Sequence, residues 1–224
     1  MACFGTSGTC RQFALDLAYQ ARGASTFAAY IGDDDPRSHH DDGMPIVSLD
    51  EIAGWDDIAV FVPVHDPAGR RSIFSRLESA GLPILGAEGL PHLSYPGADL
   101  GEGVIVSSTT RVGPSTRIGR GTLALSDLVA HDVTVGEFST LAAHSIILGH
   151  VEIGRDALIG AGAIIKNGTA ARPVVIGDGA VVGAGAVVSG DVAAGETMVS
   201  PRAVAKPERT ALGRMTGHRP PEAQ

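Results

Sequence analysis

A small parallel α/β sheet followed by a parallel β-helix is the fold class predicted for this 224-residue chain, and three observations predict it. Strand and helix patterns alternate over residues 1–96, as they do in parallel sheets. From about Val104 an aliphatic residue returns at every sixth position, a period that neither a helix nor a two-residue strand alternation produces. The composition suits such a core: the chain has 30 Gly and only 4% aromatic residues, so small and β-branched side chains must fill the interior.

In the first part, Ala2-Cys3-Phe4 reads as a short strand entering the turn Gly5-Thr6-Ser7-Gly8. Phe13, Leu15, Leu17 and Ala18 give residues 11–22 an apolar helical face. Residues 25–31 read as a second strand, stopped by Gly32 and the run Asp33-Asp34-Asp35-Pro36. Residues 45–49 are a short extended piece, with Asp50 as N-cap of the turn around Glu51 and Ile52. Residues 58–64 form an apolar run typical of a strand buried on both faces. A helix over 70–80 and a last strand over 82–85 complete the unit.

In the second part, the six-residue series runs Val129, Val135, Leu141, Ile147, Ile153, Ile159, Ile165. Val112 and Ile118 before it, and Ile176, Val182 and Val188 after it, keep the spacing in shifted phase. The next residue is often Gly or Ala, as at Gly113, Gly136 and Gly154. The residue four places on is small or β-branched: Thr116, Thr122, Val133, Ser139, Ser145, Ala157, Ala163, Ala180, Ala186. Three hexapeptides make a triangular coil of about 18 residues, and coils stack at a strand spacing of roughly 4.8 Å. Ten residues, 166–175, stand between Ile165 and Ile176 where five would keep register, so the surplus must loop out. The division is therefore 1–96, 97–199 and a tail over 200–224.

The net charge of −8 argues against nucleic acid as a partner, since binders present a basic face. The excess lies in the first hundred residues, with six basic against fourteen acidic side chains. No apolar run approaches the roughly 18 residues of a membrane span, and the N-terminus lacks a signal-peptide pattern, which predicts a cytoplasmic protein. Cys3 and Cys10 read as buried thiols, with a reactive Cys10 at a helix start as the alternative.

Rods of this kind bury a flat face against copies of themselves, and closed rotational symmetry makes three copies natural. Clefts between rods are then the expected sites. His131, followed by Asp132, sits on a coil corner, with Gly149 one coil above and Gly113 one coil below. An imidazole left uncrowded in this way is suited to take a proton from an amine or hydroxyl near neutral pH, and a neighbouring carboxylate fixes its tautomer. The same spacing is equally compatible with an ordinary surface histidine.

The segment from Ala130-His131-Asp132 through Gly136-Glu137-Phe138-Ser139 to Gly149-His150-Val151-Glu152-Ile153-Gly154 resembles the left-handed β-helix sugar acetyltransferases, the branch of sialic-acid O-acetyltransferases and nucleotide-aminosugar N-acetyltransferases. The resemblance implies an N-terminal Rossmann-like domain, a homotrimer, and direct acyl transfer from acetyl-CoA to a sugar or nucleotide-linked aminosugar, with no metal. By the same resemblance, His131 is the general base and Asp132 tunes it. Thr140, Gly149 and Ala161 line the coenzyme A groove, with the Gly149 amide facing the thioester oxygen. Ser7, Gly8, Thr9, Asp33, Asp34 and His65 hold the acceptor. Taken by themselves, the glycine turn also fits an ordinary strand–helix connection and the aspartates a solvated loop.

The chain departs from that branch's pattern at Thr9 in place of His, at Ala124 in place of Asn, at His65-Asp66 in place of a Gly, and at Val199-Ser200-Pro201-Arg202. Three of these are acceptor-side positions. Rival readings are a γ-carbonic-anhydrase-like zinc protein using His131, His144 and His150, a second metal loop at His39-His40-Asp41-Asp42, a dehydrogenase suggested by the glycine turn, and a non-catalytic trimeric scaffold.

Overall fold

The computed structural model describes residues 1–8, 10–14, 27–33, 38–86 and 93–201. Thr9, Asp34 and the tail beyond 201 lie outside the described residues, as does most of the expected helix over 11–22. Strands β1 (Ala2–Phe4), β2 (Ala29–Ile31), β3 (Ile46–Val47) and β4 (Val60–Phe61) form one parallel sheet in the order β3-β2-β1-β4. The expected strand over 82–85 contributes a single bridge, Ile84 to Val60. Ser48 ends the piece after β3 by capping helix α1 (Leu49–Ile52) through the Glu51 amide. The cap is thus Ser48, and Asp50 lies within the first turn. Helix α2 (Pro67–Ser79) starts three residues before the expected 70, because Asp66 accepts the Gly69 N–H and Pro67 opens the first turn, a pairing of N-cap and N1 residues that needs no further signal.

From Leu93 onward the chain forms a rod of three parallel sheets of six, six and five two- or three-residue strands, and successive strands pass to successive sheets. Every member of the series from Val129 to Ile165 points inward and is at most 3% exposed. The phase slip ahead of Val129 is a corner one residue short, since Ala124 and Val129 are the inward residues of consecutive strands. The first strand, Leu93–Ser94, precedes the expected start of the repeat. Ser94 takes an inward place there and its hydroxyl has no partner among the described residues. The surplus of five residues within 166–175 does loop out, with Thr169 bridged to Arg172. Among the described residues, no helix is long and apolar enough to cross a membrane.

The small residues have two jobs. Thr116, Thr122 and Ser139 are buried inside corners, where their hydroxyls donate to the carbonyls of Ala130, Gly136 and Gly154. Gly136 lets coils approach, for a β-carbon there would stand 2.4 Å from the Arg155 nitrogen.

The N-terminal sheet covers one face of the rod. Cys3, Tyr30 and Phe61 form a buried cluster with Ile105 and Leu123, the outward residues of that face. The equivalent outward positions on the other faces include Arg111, Arg117 and Glu152, all exposed. Helix α2 docks on the corner at residues 136–139. Phe74 packs edge-on to Phe138 at 5.1 Å, and Arg71 binds both Asp156 oxygens at 2.8 and 2.9 Å. Arg70, 1% exposed, donates to the carbonyls of Val64, His65, Gly121, Phe138 and Ser139 and to the Thr140 hydroxyl. Burial lowers its pKa to about 10.

Candidate active site

The three corner columns of the rod differ in what they carry. One docks α2. A second carries His131 and Asp132 between the strands Leu128–Val129 and Thr134–Val135. His131 Nδ1 lies 2.8 Å from Asp132 Oδ2, and the two side chains are 55% and 47% exposed. The carboxylate accepts, so Nδ1 carries the proton and Nε2 is left as the acceptor nitrogen. Asp132 reaches this position from a left-handed backbone conformation, φ 56°.

Gly149 lies directly against the ring. A β-carbon there would stand 2.5 Å from His131 Cε1 and 2.7 Å from Nε2. Gly149 is itself buried, and its N–H has no acceptor among the described residues. Gly149→Ala is therefore expected to leave the melting temperature nearly unchanged, because an exposed side chain can swing aside. It should lower turnover by about 10²-fold, since a misplacement of about 1 Å suffices for that. Melting and initial-rate measurements on the same preparation check both halves.

The third column borders a cavity of about 450 Å³ between the N-terminal unit and the rod, lined by Gln12, Phe13, His65, Ser107, Ser108, Thr109, Leu125, Ala143 and His144. The cavity sits beyond the C-terminal ends of the adjacent strands β1 and β4, from which the chain leaves toward opposite sides of the sheet, the place at which parallel sheets bind ligands. Partial burial, followed by the Arg70 charge, lowers the His65 pKa. His144, in left-handed backbone at φ 60°, meets Asp127 at 3.1 Å. Sequence reasoning considers His144 only as a zinc ligand and Phe13 only as part of an apolar helical face, and it passes over Gln12 and Asp127. The only available signal was a polar pair 17 residues apart in an 18-residue coil, and the short corner before Val129 hides that.

Other expected residues fall elsewhere. Thr140 was expected in the coenzyme groove, yet it is 1% exposed and its hydroxyl donates to the His65 carbonyl at 2.7 Å, so it belongs to the joint. Ala161 is exposed, but on the cavity-side column, whereas Gly149 is on the His131 column. One chain therefore does not bring these two to a single edge. Asp33 has both oxygens engaged: one accepts the Leu49 N–H at 2.7 Å and the other pairs with Arg76. Burial opposes its charge, but these two partners hold its pKa below the usual carboxylate value. It borders a separate groove of about 700 Å³ with Ser48, Ser72, Ser75 and Ser79.

Ser7 caps the helical turn after it, its hydroxyl accepting from Cys10 N at 3.3 Å, while Gly8 is exposed. Cys10 is 2% exposed, in keeping with a buried thiol. Its pKa is nevertheless lowered to about 6, chiefly by the Cys3 hydrogen bond. His40 is buried with Nε2 at 3.2 Å from the Thr6 carbonyl, and Tyr30 donates to Asp42 at 2.6 Å. The loop read as a metal candidate thus braces the glycine turn. The three-histidine zinc reading lacks its geometry, because His144 is on a different column from His131 and His150.

Residues 132–167 match the family described as bacterial transferase hexapeptide, six repeats, and residues 150–189 match the hexapeptide repeat of succinyl-transferase. A curated GDP-perosamine N-acetyltransferase of Escherichia coli O157:H7 is 41% identical over 82 residues, 36% of this chain and 37% of that protein. WeeI from Acinetobacter baumannii AYE superposes with a TM-score of 0.74 at 29% identity, covering 89% of this chain and 95% of that one. PerB from Caulobacter crescentus, solved in complex with CoA and GDP-perosamine, gives 0.76 at 25% identity, covering 89% and 93%. Its repeats over residues 132–189 are thus similar to hexapeptide-repeat transferase families, and its architecture is similar to WeeI and PerB along nearly the whole described length.

Proposed function

We propose that the protein is an acetyl-CoA-dependent N-acetyltransferase acting on a nucleotide-linked aminosugar, with His131 as general base. The observation that carries this reading is the exposed His131–Asp132 pair lying against a buried Gly149 whose amide hydrogen has no acceptor among the described residues. In the proposed reaction the acceptor nitrogen attacks the thioester carbonyl and gives its proton to His131 Nε2. Asp132 holds Nδ1–H and balances the imidazolium charge. The Gly149 N–H takes the developing oxyanion, and collapse expels the coenzyme thiolate.

The similarity to PerB, whose structure holds CoA and GDP-perosamine, supports both substrates. The proposal includes a left-handed rod over residues 97–199, a Rossmann-like acceptor unit over 1–96, and a cytoplasmic setting where acetyl-CoA is at hand. It also includes a homotrimer, in which Thr9, Asp34, Ser7, Gly8 and His65 of the acceptor unit hold the nucleotide sugar. Gly149 of one chain and Ala161 of its neighbour would line the coenzyme groove, an arrangement that reconciles their separate columns.

The test is release of free thiol from acetyl-CoA in the presence of GDP-perosamine and other nucleotide 4-aminosugars, with light scattering to count subunits. Thiol release dependent on an aminosugar supports the reading. No detectable CoA binding by calorimetry overturns it in favour of a trimeric scaffold, and a monomer in solution overturns it by leaving the groove between chains without its second wall.

A further inference from the structure

We infer that His150 is a positioning residue for the His131–Asp132 pair, acting through a carboxylate that the two imidazoles share. The inference deepens the transferase reading and rests on it for its kinetic part.

The His131 and His150 rings stand edge to face with centroids 5.2 Å apart. Asp132 Oδ2, which meets His131 Nδ1 at 2.8 Å, is also 4.0 Å from His150 Nδ1. Polar atoms of all three side chains lie within 4.8 Å of one another. His150 cannot drift from this place easily. Its N–H donates to the His131 carbonyl at 3.3 Å, and its own carbonyl accepts the Val174 N–H at 3.1 Å. Its side chain is 28% exposed against 55% for His131, so it sits behind the base and leaves the outer edge of His131 open. The other charged residues on elements packed around this corner are Arg111, Arg117, Glu152, Lys166 and Arg172, and none is ion-paired to either ring among the described residues.

One carboxylate balances one imidazolium. A second proton on the neighbouring ring meets like-charge repulsion that, at about 5 Å and the nearly water-like dielectric (about 50–80) of this solvent-exposed corner, is worth about half to one pH unit. A protonated His150 also competes for Asp132 Oδ2. Both effects have the same sign: they keep His131 in its proton-accepting form to lower pH than a solitary histidine–aspartate pair would.

The experiment is a titration of the histidine C2–H resonances in the full-length protein, without CoA or acceptor, alongside the pH dependence of kcat/KM. His150→Asn removes the second cation at a left-handed position, φ 56°, which Asn tolerates. The His131 midpoint is expected to rise by about half to one unit, and the acid limb of kcat/KM to follow. Activity at pH 6 should then fall about three- to tenfold relative to wild type, with less than about twofold change at pH 8.5. His150→Lys keeps a permanent cation and should move the midpoint the opposite way, which mere loss of packing could not do. A His131 midpoint that moves by less than about 0.2 unit in His150→Asn, or the same direction of shift in both variants, overturns the inference. Opposite shifts in a protein that transfers no acyl group would uphold the proton sharing and refute the transferase reading instead.

Discussion

His131→Ala is expected to lower kcat/KM for acyl transfer by about 10³-fold, the middle of the range for loss of a general base. The expectation follows from how little else the side chain does. It is 55% exposed, its one side-chain hydrogen bond among the described residues goes to the adjacent Asp132, and Gly149 against the ring contributes no side chain to a packed contact. Substitutions of exposed side chains away from packing seldom move stability by more than about 0.5 kcal/mol, so melting temperature and subunit number should match wild type. Coenzyme A affinity by calorimetry should match as well, because the proposed donor to the thioester oxygen is a main-chain amide. Loss confined to the chemical step is the signature of a base. A variant that retains more than a tenth of wild-type kcat/KM would show that the acceptor loses its proton by another route, and a variant that also loses CoA would assign His131 to binding.

Much of the rod was legible in the sequence because its geometry repeats. Six residues per side leave one inward aliphatic and one inward small residue per turn, and both series are buried where the spacing put them, from Val129 to Ile165 and from Thr116 to Ala186. The reading weakened wherever the repeat was broken by chemistry that an inside–outside pattern does not encode. Ser94 takes an inward place although it is polar, which hid the first coil. The five-residue step to Val129 concealed that Asp127 and His144 share a column. The Asp132 pairing could be anticipated from adjacency, but the approach of His150 could not. It depends on two left-handed corners, at Asp132 and His150, turning their side chains toward each other, and no local preference of Asp or His dictates that. Thr140 was misplaced for a related reason. It lies on the covered face with Ile105 and Leu123, and what covers a face is decided by residues some 70 positions away in α2. Asp33 carried no sign of Arg76, its partner 43 residues on.

Arg70→Met should cost about 4 kcal/mol of stability and uncouple the two parts of the chain. Arg70 satisfies six acceptors at once, five of them main-chain carbonyls drawn from α2's approach, Gly121 and residues 138–139. Met fills similar volume but donates nothing, and each buried carbonyl left without a donor costs on the order of 1–3 kcal/mol, partly relieved where water can enter. Among the described residues no carboxylate is in direct contact with Arg70, so its removal leaves no buried opposite charge there, which is why the expected loss stays well below the sum over all six acceptors. Lysine cannot substitute either, since one ammonium has three donors and lacks the planar fork that spans Gly121 on one side and Phe138 on the other.

The rod below the joint is a stack of coils that each contact only their neighbours, so its stability is nearly a sum over coils. Denaturation of Arg70→Met followed by far-ultraviolet circular dichroism and by Trp55 fluorescence should accordingly split into two transitions. The N-terminal signal should lead and the β-signal should persist to higher denaturant. Acceptor turnover should fall in parallel, because Arg70 also holds the Val64 and His65 carbonyls at the cavity mouth. CoA affinity should change far less. A single coincident transition within about 1 kcal/mol of wild type would mean that the joint is held by Phe74, Phe138 and the Arg71–Asp156 pair alone, and that the buried guanidinium contributes specificity of docking without net stability.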